Sequence, residues 1–331
     1  MSALRLRFGT RPYDGLLPLL RGEVRVPGVE LEAHEMLNVA MFAGFMRGEY
    51  DVSEMSLAEA VYYVSRDRAR FVGIPVFPSR YFRHGYWFCN TGSGIADAAS
   101  VRGKRIGFQR WVQTAGVWMR GELCEHHGVS PRENEWYVAS VHHWDGGDPA
   151  EVQPRNGATL RLLGAGATAE NAHEALLDGR VDLMGTTELH SPKLLADARA
   201  RRLFPDYRRV EAECFRRTRI FPIMHLVGMQ AELAERRPEL AAALFAAFSE
   251  AQRIARRHRV LPSHALAWRA AYLEEEQALL GDDPWTYGLE ANRHVLAKFI
   301  DYCFEQGIAS RRIEPEELFH PTTWKLRGGI P

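Results

Sequence analysis

The chain has 331 residues, and its Lys+Arg and Asp+Glu counts are both 42, so its formal net charge is zero. That balance leaves no global field to favour nucleic acid or an anionic membrane surface, and the length suits two α/β lobes better than one small core. The four cysteines, Cys89, Cys124, Cys214 and Cys303, lack the paired spacing of a disulfide framework or a zinc knuckle and read as buried free thiols.

In chain order, Leu4 to Phe8 alternates like a strand and lacks the apolar core of a secretory signal, and no later run is long enough to span a bilayer. The expectation is a soluble, cytoplasmic protein. A helix over Tyr13 to Leu20 follows, then strand Val29 to Glu32, helix Val39 to Arg47, strand Tyr50 to Ser53, helix Leu57 to Ser65 and strand Phe71 to Val76. This alternation predicts parallel α/β architecture. Strand Tyr86 to Asn90 leads through the turn Thr91 to Gly94 into a second series. That series has a strand ending near Phe108, helix Thr114 to His126, strand Trp136 to Val138, helix Ala169 to Asp178 and strand Val181 to Met184. Residues 142–159 are rich in Gly, Pro, Asp and Asn and read as a surface loop. Ile220 to Met229 returns as an apolar strand, and the chain from Glu232 onward is mostly helical. The simplest arrangement puts residues 1–87 and 223–331 in one lobe and inserts 88–222 as the other, with two crossing strands and a cleft between the lobes.

Three strand ends carry the chemistry. Ser79, Arg80, Arg83 and His84 follow the strand that ends at Val76, and a guanidinium there suits a small carboxylate. Ser53, Glu54 and Ser56 follow another strand. The serines fit helix caps equally well, while a carboxylate near a helix start is stabilised ionised and burial would raise its pKa toward proton transfer. His225 ends the apolar run Ile220 to Met224, as a hydrogen-bonded core histidine or as an acid-base group. Gln113 and Thr114 open a helix whose amides suit an anion or ordinary capping. Glu188 and His190, two residues apart, share a side in extended backbone. They suit a substrate hydroxyl or, with His225 as a third ligand, a metal ion. No nucleotide-type phosphate loop and no Gly-x-Ser-x-Gly elbow occurs.

Four ordered motifs, Asp51 to Ser56, Ile74 to Arg80 with Phe82 to His84, Ile220 to His225 and Gly281 to Glu290, resemble the 4,5-dihydroxyphthalate decarboxylase family, and the likeness extends to Phe319. The resemblance implies a two-lobed type II periplasmic-binding-protein-like fold with an interlobe cleft and a helical C-terminal region. It also implies a carboxy-lyase that removes carbon dioxide from a hydroxylated aromatic acid without oxidation. Its small-molecule partner is that acid; no nucleic acid or membrane partner is implied, and a homo-oligomer is compatible. A departure stands at Gly185 to His190, where Glu188 occupies a place at which a cation would hold a second carboxylate. A hydroxybenzoate-type acid with one carboxylate, or one bearing an amino or extra hydroxyl group, is then a fitting substrate.

On this reading Arg80 and Arg83 hold the acid, with Ser53, Ser79, Gln113, Thr114 and His190 as further binding groups. His84 or His225 delivers the ring proton, and Glu54 or Glu188 polarises the phenol. Tyr287 is a candidate to close over the ring, and Trp285 reads as packing. No organic cofactor is required, because a phenol ortho or para to the carboxylate supplies the electron push; a divalent metal is the alternative. The competing functions are a small-acid binding protein without chemistry and a metal-assisted lyase or hydrolase using Glu188, His190 and His225.

Overall fold

The computed structural model describes residues 3–36, 38–142, 151–188, 190–259 and 266–328. Eleven strands lie among the described residues: β1 (Leu4–Thr10), β2 (Val29–Glu35), β3 (Val52–Ser56), β4 (Phe71–Ile74), β5 (Trp87–Asn90), β6 (Arg105–Arg110), β7 (Glu135–Ser140), β8 (Thr159–Leu162), β9 (Leu183–Gly185), β10 (Ala200–Arg202) and β11 (His225–Gln230). The chain forms two units. Unit 1 comprises Met1–Arg80, Ile223–Ala297 and Ile313–Pro331, and unit 2 comprises Tyr81–Pro222 and Lys298–Arg312.

In unit 1 the sheet order is β2-β1-β3-β11-β4. Leu6 and Phe8 of β1 alternate into the core, whereas all five residues of the central strand β3 are buried, as expected for a strand covered on both faces. β1 runs parallel to β2 and β3, but β11 runs antiparallel to β3 and β4. In unit 2 the order is β10-β5-β9-β6-β7-β8. There β6, β7, β8 and β9 are mutually parallel neighbours, and β5 is antiparallel to β9 and β10. The four strands of the first alternation, β1 to β4, run parallel as expected, and the two sheets are mixed because β11 and β5 run against their neighbours. The chain enters β5 and β11 after a change of unit, not through a βαβ crossover, so nothing forces them parallel.

The first change of unit falls at Arg80/Tyr81, ahead of the expected 87/88, because the turn before β5 is tied into unit 2: the Thr186 N–H donates to the Tyr86 carbonyl at 3.0 Å, and the Gly85 N–H to Glu211 at 3.2 Å. Helix Leu289–Glu305 begins in unit 1 and ends in unit 2. The strand expected over Ile220 to Met229 shrinks to β11, because Pro222 has no amide to offer a ladder. The helix expected over Ala169 to Asp178 shortens to Glu174–Leu177, since Thr168 and Asn171 exchange side-chain and backbone hydrogen bonds that fix a tight turn. Strands β8 and β10 and helices Ser191–Leu195 and Tyr207–Thr218 were not apparent in the sequence pattern. Among the described residues no helix is long and apolar enough to cross a membrane. Cys89, Cys214 and Cys303 are buried, and all four cysteines are free thiols.

Candidate functional site

The site in unit 1 follows from strand register. In the antiparallel pair β3–β11, His225 stands opposite Ser56 and Val227 opposite Glu54, so Glu54 and His225 are diagonal neighbours on one face. Their side chains meet: His225 Nδ1 lies 2.5 Å from Glu54 Oε1. The Tyr13 hydroxyl donates to the same oxygen at 2.6 Å, and the Arg11 N–H to Glu54 Oε2 at 3.4 Å. Tyr13 comes from the turn after β1, the strand beside β3. Burial first, and the Glu54 charge second, push the Tyr13 phenol well above its usual range, so it stays a proton donor, and Ser79 hydrogen-bonds to it. A carboxylate that accepts a hydrogen bond from the Nδ1–H leaves Nε2 as the working nitrogen of His225. Phe42 packs edge-on against the imidazole with ring centroids 5.1 Å apart. Glu54 is fully buried, so Tyr13 and His225 are what make its charge tolerable there.

The other unit 1 candidates have structural partners. Ser53 points to the opposite face, its Oγ 2.9 Å from the Glu54 carbonyl and 3.2 Å from that of Gly9. Arg80 is buried and donates through Nη2 to the Thr286 carbonyl at 3.0 Å and to Asn292 Oδ1 at 2.5 Å. Burial lowers its pKa to about 10, and that guanidinium pins the 281–288 turn to the start of the helix Leu289–Glu305. Tyr287 is also buried, and with Tyr13, Pro78, Gln252 and Trp285 it lines a small recess of unit 1. Trp285 lies under the Arg259 guanidinium, 5.5 Å from its ring centroid.

In unit 2 the chemistry gathers at the carboxyl ends of β6 and β9, where open α/β sheets hold ligands. Arg83 Nη1 donates to Glu188 Oε1 at 2.9 Å. Gln109, the penultimate residue of β6, accepts at Oε1 from Gln113 Nε2 at 3.1 Å and from the Thr187 hydroxyl at 3.3 Å. Its amide nitrogen lies 3.1 Å from His190 Nδ1 and 3.4 Å from the Ala169 carbonyl. Gln109 was missed in the sequence, where it reads as one more strand residue. His190 is fully buried against His173, with ring centroids 4.7 Å apart, and burial followed by the His173 charge lowers its pKa to about 4. It is a neutral, packed imidazole at pH 7. Thr114 is the buried first residue of the helix Thr114–His127.

His84 lies in the unit 2 interior, between His127 at 5.4 Å and Phe204 at 5.3 Å, and its Nδ1 is 4.0 Å from Glu122 Oε2. Burial, then His127, lowers its pKa to about 3. Burial raises Glu122 to about 8, with Glu211 adding to the shift, and raises Glu211 to about 7 against the hydrogen bonds it accepts from Gly85 and His84. The two acids hold protons in the folded state that they release on unfolding, so their share of stability is full below about pH 4.5 and is lost as pH rises through 7 and 8. His84 has the opposite sign, since its share is lost as pH falls from 6.5 toward 3. Between pH 7 and 8, above the range in which the buried histidines matter, the acids dominate and stability is expected to fall by about 1 kcal/mol. Thermal melting across that window checks it. Glu122→Gln, which cannot ionise, should remove most of the slope; an unchanged slope contradicts this account.

Among the described residues no group of three or more His, Cys, Asp or Glu side chains is arranged to hold a metal ion.

Two mixed α/β units in this strand order give the chain a type II periplasmic-binding-protein-like fold. The fold is similar to that of the periplasmic aliphatic sulphonate binding protein of Escherichia coli (TM-score 0.56, 14% identity, 98% of this chain and 100% of that one). It is also similar to the alkanesulfonate-binding protein of Xanthomonas axonopodis pv. citri (TM-score 0.54, 14% identity, 98% and 99%). In sequence the chain is 31% identical, over 338 aligned positions, to 4,5-dihydroxyphthalate decarboxylase of Comamonas testosteroni, covering 98% of each. It is 34% identical over 140 positions to the enzyme of the same name from Pseudomonas putida, covering 41% of this chain and 53% of that one. No family model matches. The chain belongs to the 4,5-dihydroxyphthalate decarboxylase family and is a carboxy-lyase.

Proposed function

We propose that this chain decarboxylates a hydroxylated aromatic carboxylic acid without oxidation, with His225 as the acid that protonates the ring carbon and Glu54 as the group that orients and charges it. The observation that carries the reading is the His225–Glu54 contact at 2.5 Å, closed by Tyr13 at 2.6 Å. The 31% identity to a named decarboxylase over almost the whole chain supports the reaction class.

A ring hydroxyl ortho or para to the carboxylate pushes electrons into the ring as the carbon bearing the carboxylate takes a proton from His225 Nε2. The carbon–carbon bond then breaks, its electron pair restores the aromatic ring, and carbon dioxide leaves. His225 recovers its proton from solvent, so one proton is consumed per turnover. Glu54, fixed by Tyr13 and the Arg11 amide, stabilises the imidazolium that must form before each transfer. Because the phenol supplies the push, the step is written without a cofactor.

The test is product analysis by mass spectrometry with a panel of hydroxylated aromatic mono- and dicarboxylic acids. In deuterated water the product is expected to carry one deuterium at the carbon that lost carbon dioxide. Binding of the acids with no mass change would overturn the reading in favour of a small-acid binding protein.

A further inference from the structure

The Arg83–Glu188 pair names the substrate class. Arg83 packs on two tyrosines, its guanidinium carbon 5.1 Å from the Tyr81 ring centroid and 5.0 Å from that of Tyr86. Its side chain is only 5% exposed, whereas that of Glu188 is 50% exposed. A fixed, desolvated cation is thus capped by a carboxylate that reaches it from the solvent side. The placement follows from the sheet. The Tyr86 N–H donates to the Arg83 carbonyl at 3.1 Å, and the Thr186 N–H to the Tyr86 carbonyl at 3.0 Å, which sets Arg83 and Glu188 beside the same junction at the carboxyl end of β9.

Decarboxylation constrains what such a cation can hold. A guanidinium clamped on the departing carboxylate stabilises the ground state more than the transition state, where that charge has moved into the ring, and so slows the reaction. Such a cation is better used on a carboxylate that stays. The relatives' named substrate, 4,5-dihydroxyphthalate, has two carboxylates and keeps one. In this chain that kind of cation already has its carboxylate, at 2.9 Å and in charge-assisted geometry.

We infer that Glu188 fills on Arg83 the place of a second substrate carboxylate, so that this chain takes a hydroxylated aromatic acid with one carboxylate. The inference rests on the decarboxylase reading and narrows it. A dicarboxylate must either displace Glu188 from Arg83 or lie beside it unpaired.

The test compares kcat/KM for carbon dioxide release from 3,4-dihydroxybenzoate and 4,5-dihydroxyphthalate in the parent chain, Glu188→Gln and Glu188→Asp. Removing the competing carboxylate charge in the Gln variant is expected to raise the dicarboxylate-to-monocarboxylate ratio about ten- to a hundredfold, the worth of one charge-assisted hydrogen bond. The Asp variant, which keeps the carboxylate, should move the ratio far less. Turnover with the same ratio in all three proteins overturns the inference and leaves the decarboxylase reading standing. If no protein releases carbon dioxide from either acid, the decarboxylase reading is what fails, and the same ratio taken from calorimetric Kd values decides the role of Glu188. Failure of both acids to bind overturns both.

Discussion

His225→Ala is expected to lower kcat for decarboxylation about a hundredfold to ten-thousandfold, the usual worth of one positioned acid-base group. The fold should survive, because His225 opens β11 and the β3–β11 ladder runs on through Leu226 to Met229. The variant does lose the Nδ1 partner of a fully buried carboxylate, at a cost of about 1–3 kcal/mol. Kinetics and melting together therefore separate a catalytic effect from a structural one. Glu54→Gln is the companion test. It keeps the volume and a hydrogen bond but removes the charge that stabilises the imidazolium, so kcat should fall while KM changes little. Tyr13→Phe leaves Glu54 Oε1 to His225 alone, so the carboxylate that orients the imidazole is held less firmly and kcat should fall, by less than in Glu54→Gln. Full turnover in His225→Ala on an acid that the parent chain decarboxylates would remove His225 from the mechanism.

What the sequence revealed was the local part of this site. His225 opens β11, and Glu54 lies mid-strand in β3, which runs on to Ser56 past the expected end at Ser53; both stand in apolar strands, a pattern visible in a short window, and the helices that follow β3 and β6 carry readable signals. What it concealed was pairing over long separations. Arg80 looks like a carboxylate clamp until Thr286 and Asn292, more than 200 residues on, are found to hold its guanidinium. His84 looks equally catalytic, because nothing in its neighbours announces that His127 and Phe204 enclose it. Tyr13 could have been found: it follows Pro12 in the turn after β1, and parallel pairing of β1 with β3 brings that turn beside Glu54. The antiparallel entries of β5 and β11 could not, since strand direction depends on the end from which the chain arrives and the hydrophobic pattern is the same either way.

Arg120→Ala is expected to destabilise unit 2 by about 2–4 kcal/mol through the cavity and the stranded acceptors, which for a unit of this size lowers its melting temperature by on the order of 10 °C. Arg120 is a buried cation on the helix Thr114–His127, and its setting is made of rings and amides. Its guanidinium lies 3.9 Å from the Trp111 ring centroid and 4.8 Å from that of Phe108. Nε donates to Gln306 Oε1 at 2.7 Å and Nη2 to the Trp111 carbonyl at 2.7 Å. Burial lowers its pKa to about 9, so the charged form is costly here and is kept by these contacts. Gln306 completes the knot: its amide donates to the Val117 carbonyl at 3.0 Å, and its carbonyl accepts from Trp111 Nε1 at 2.9 Å. This explains why Lys298–Arg312, remote in sequence, belongs to unit 2. Truncation to Ala opens a cavity and strands two acceptors at once. Arg120→Met fills the space and removes the buried charge, leaving only the acceptors unpaired, so it should cost clearly less. Unit 2 melting in Arg120→Ala, Arg120→Met, Gln306→Ala and the Ala–Ala double variant decides the matter. A double variant much less destabilised than the sum of its parts shows the two residues acting as one clamp, and additive losses show that Arg120 serves only to fill space.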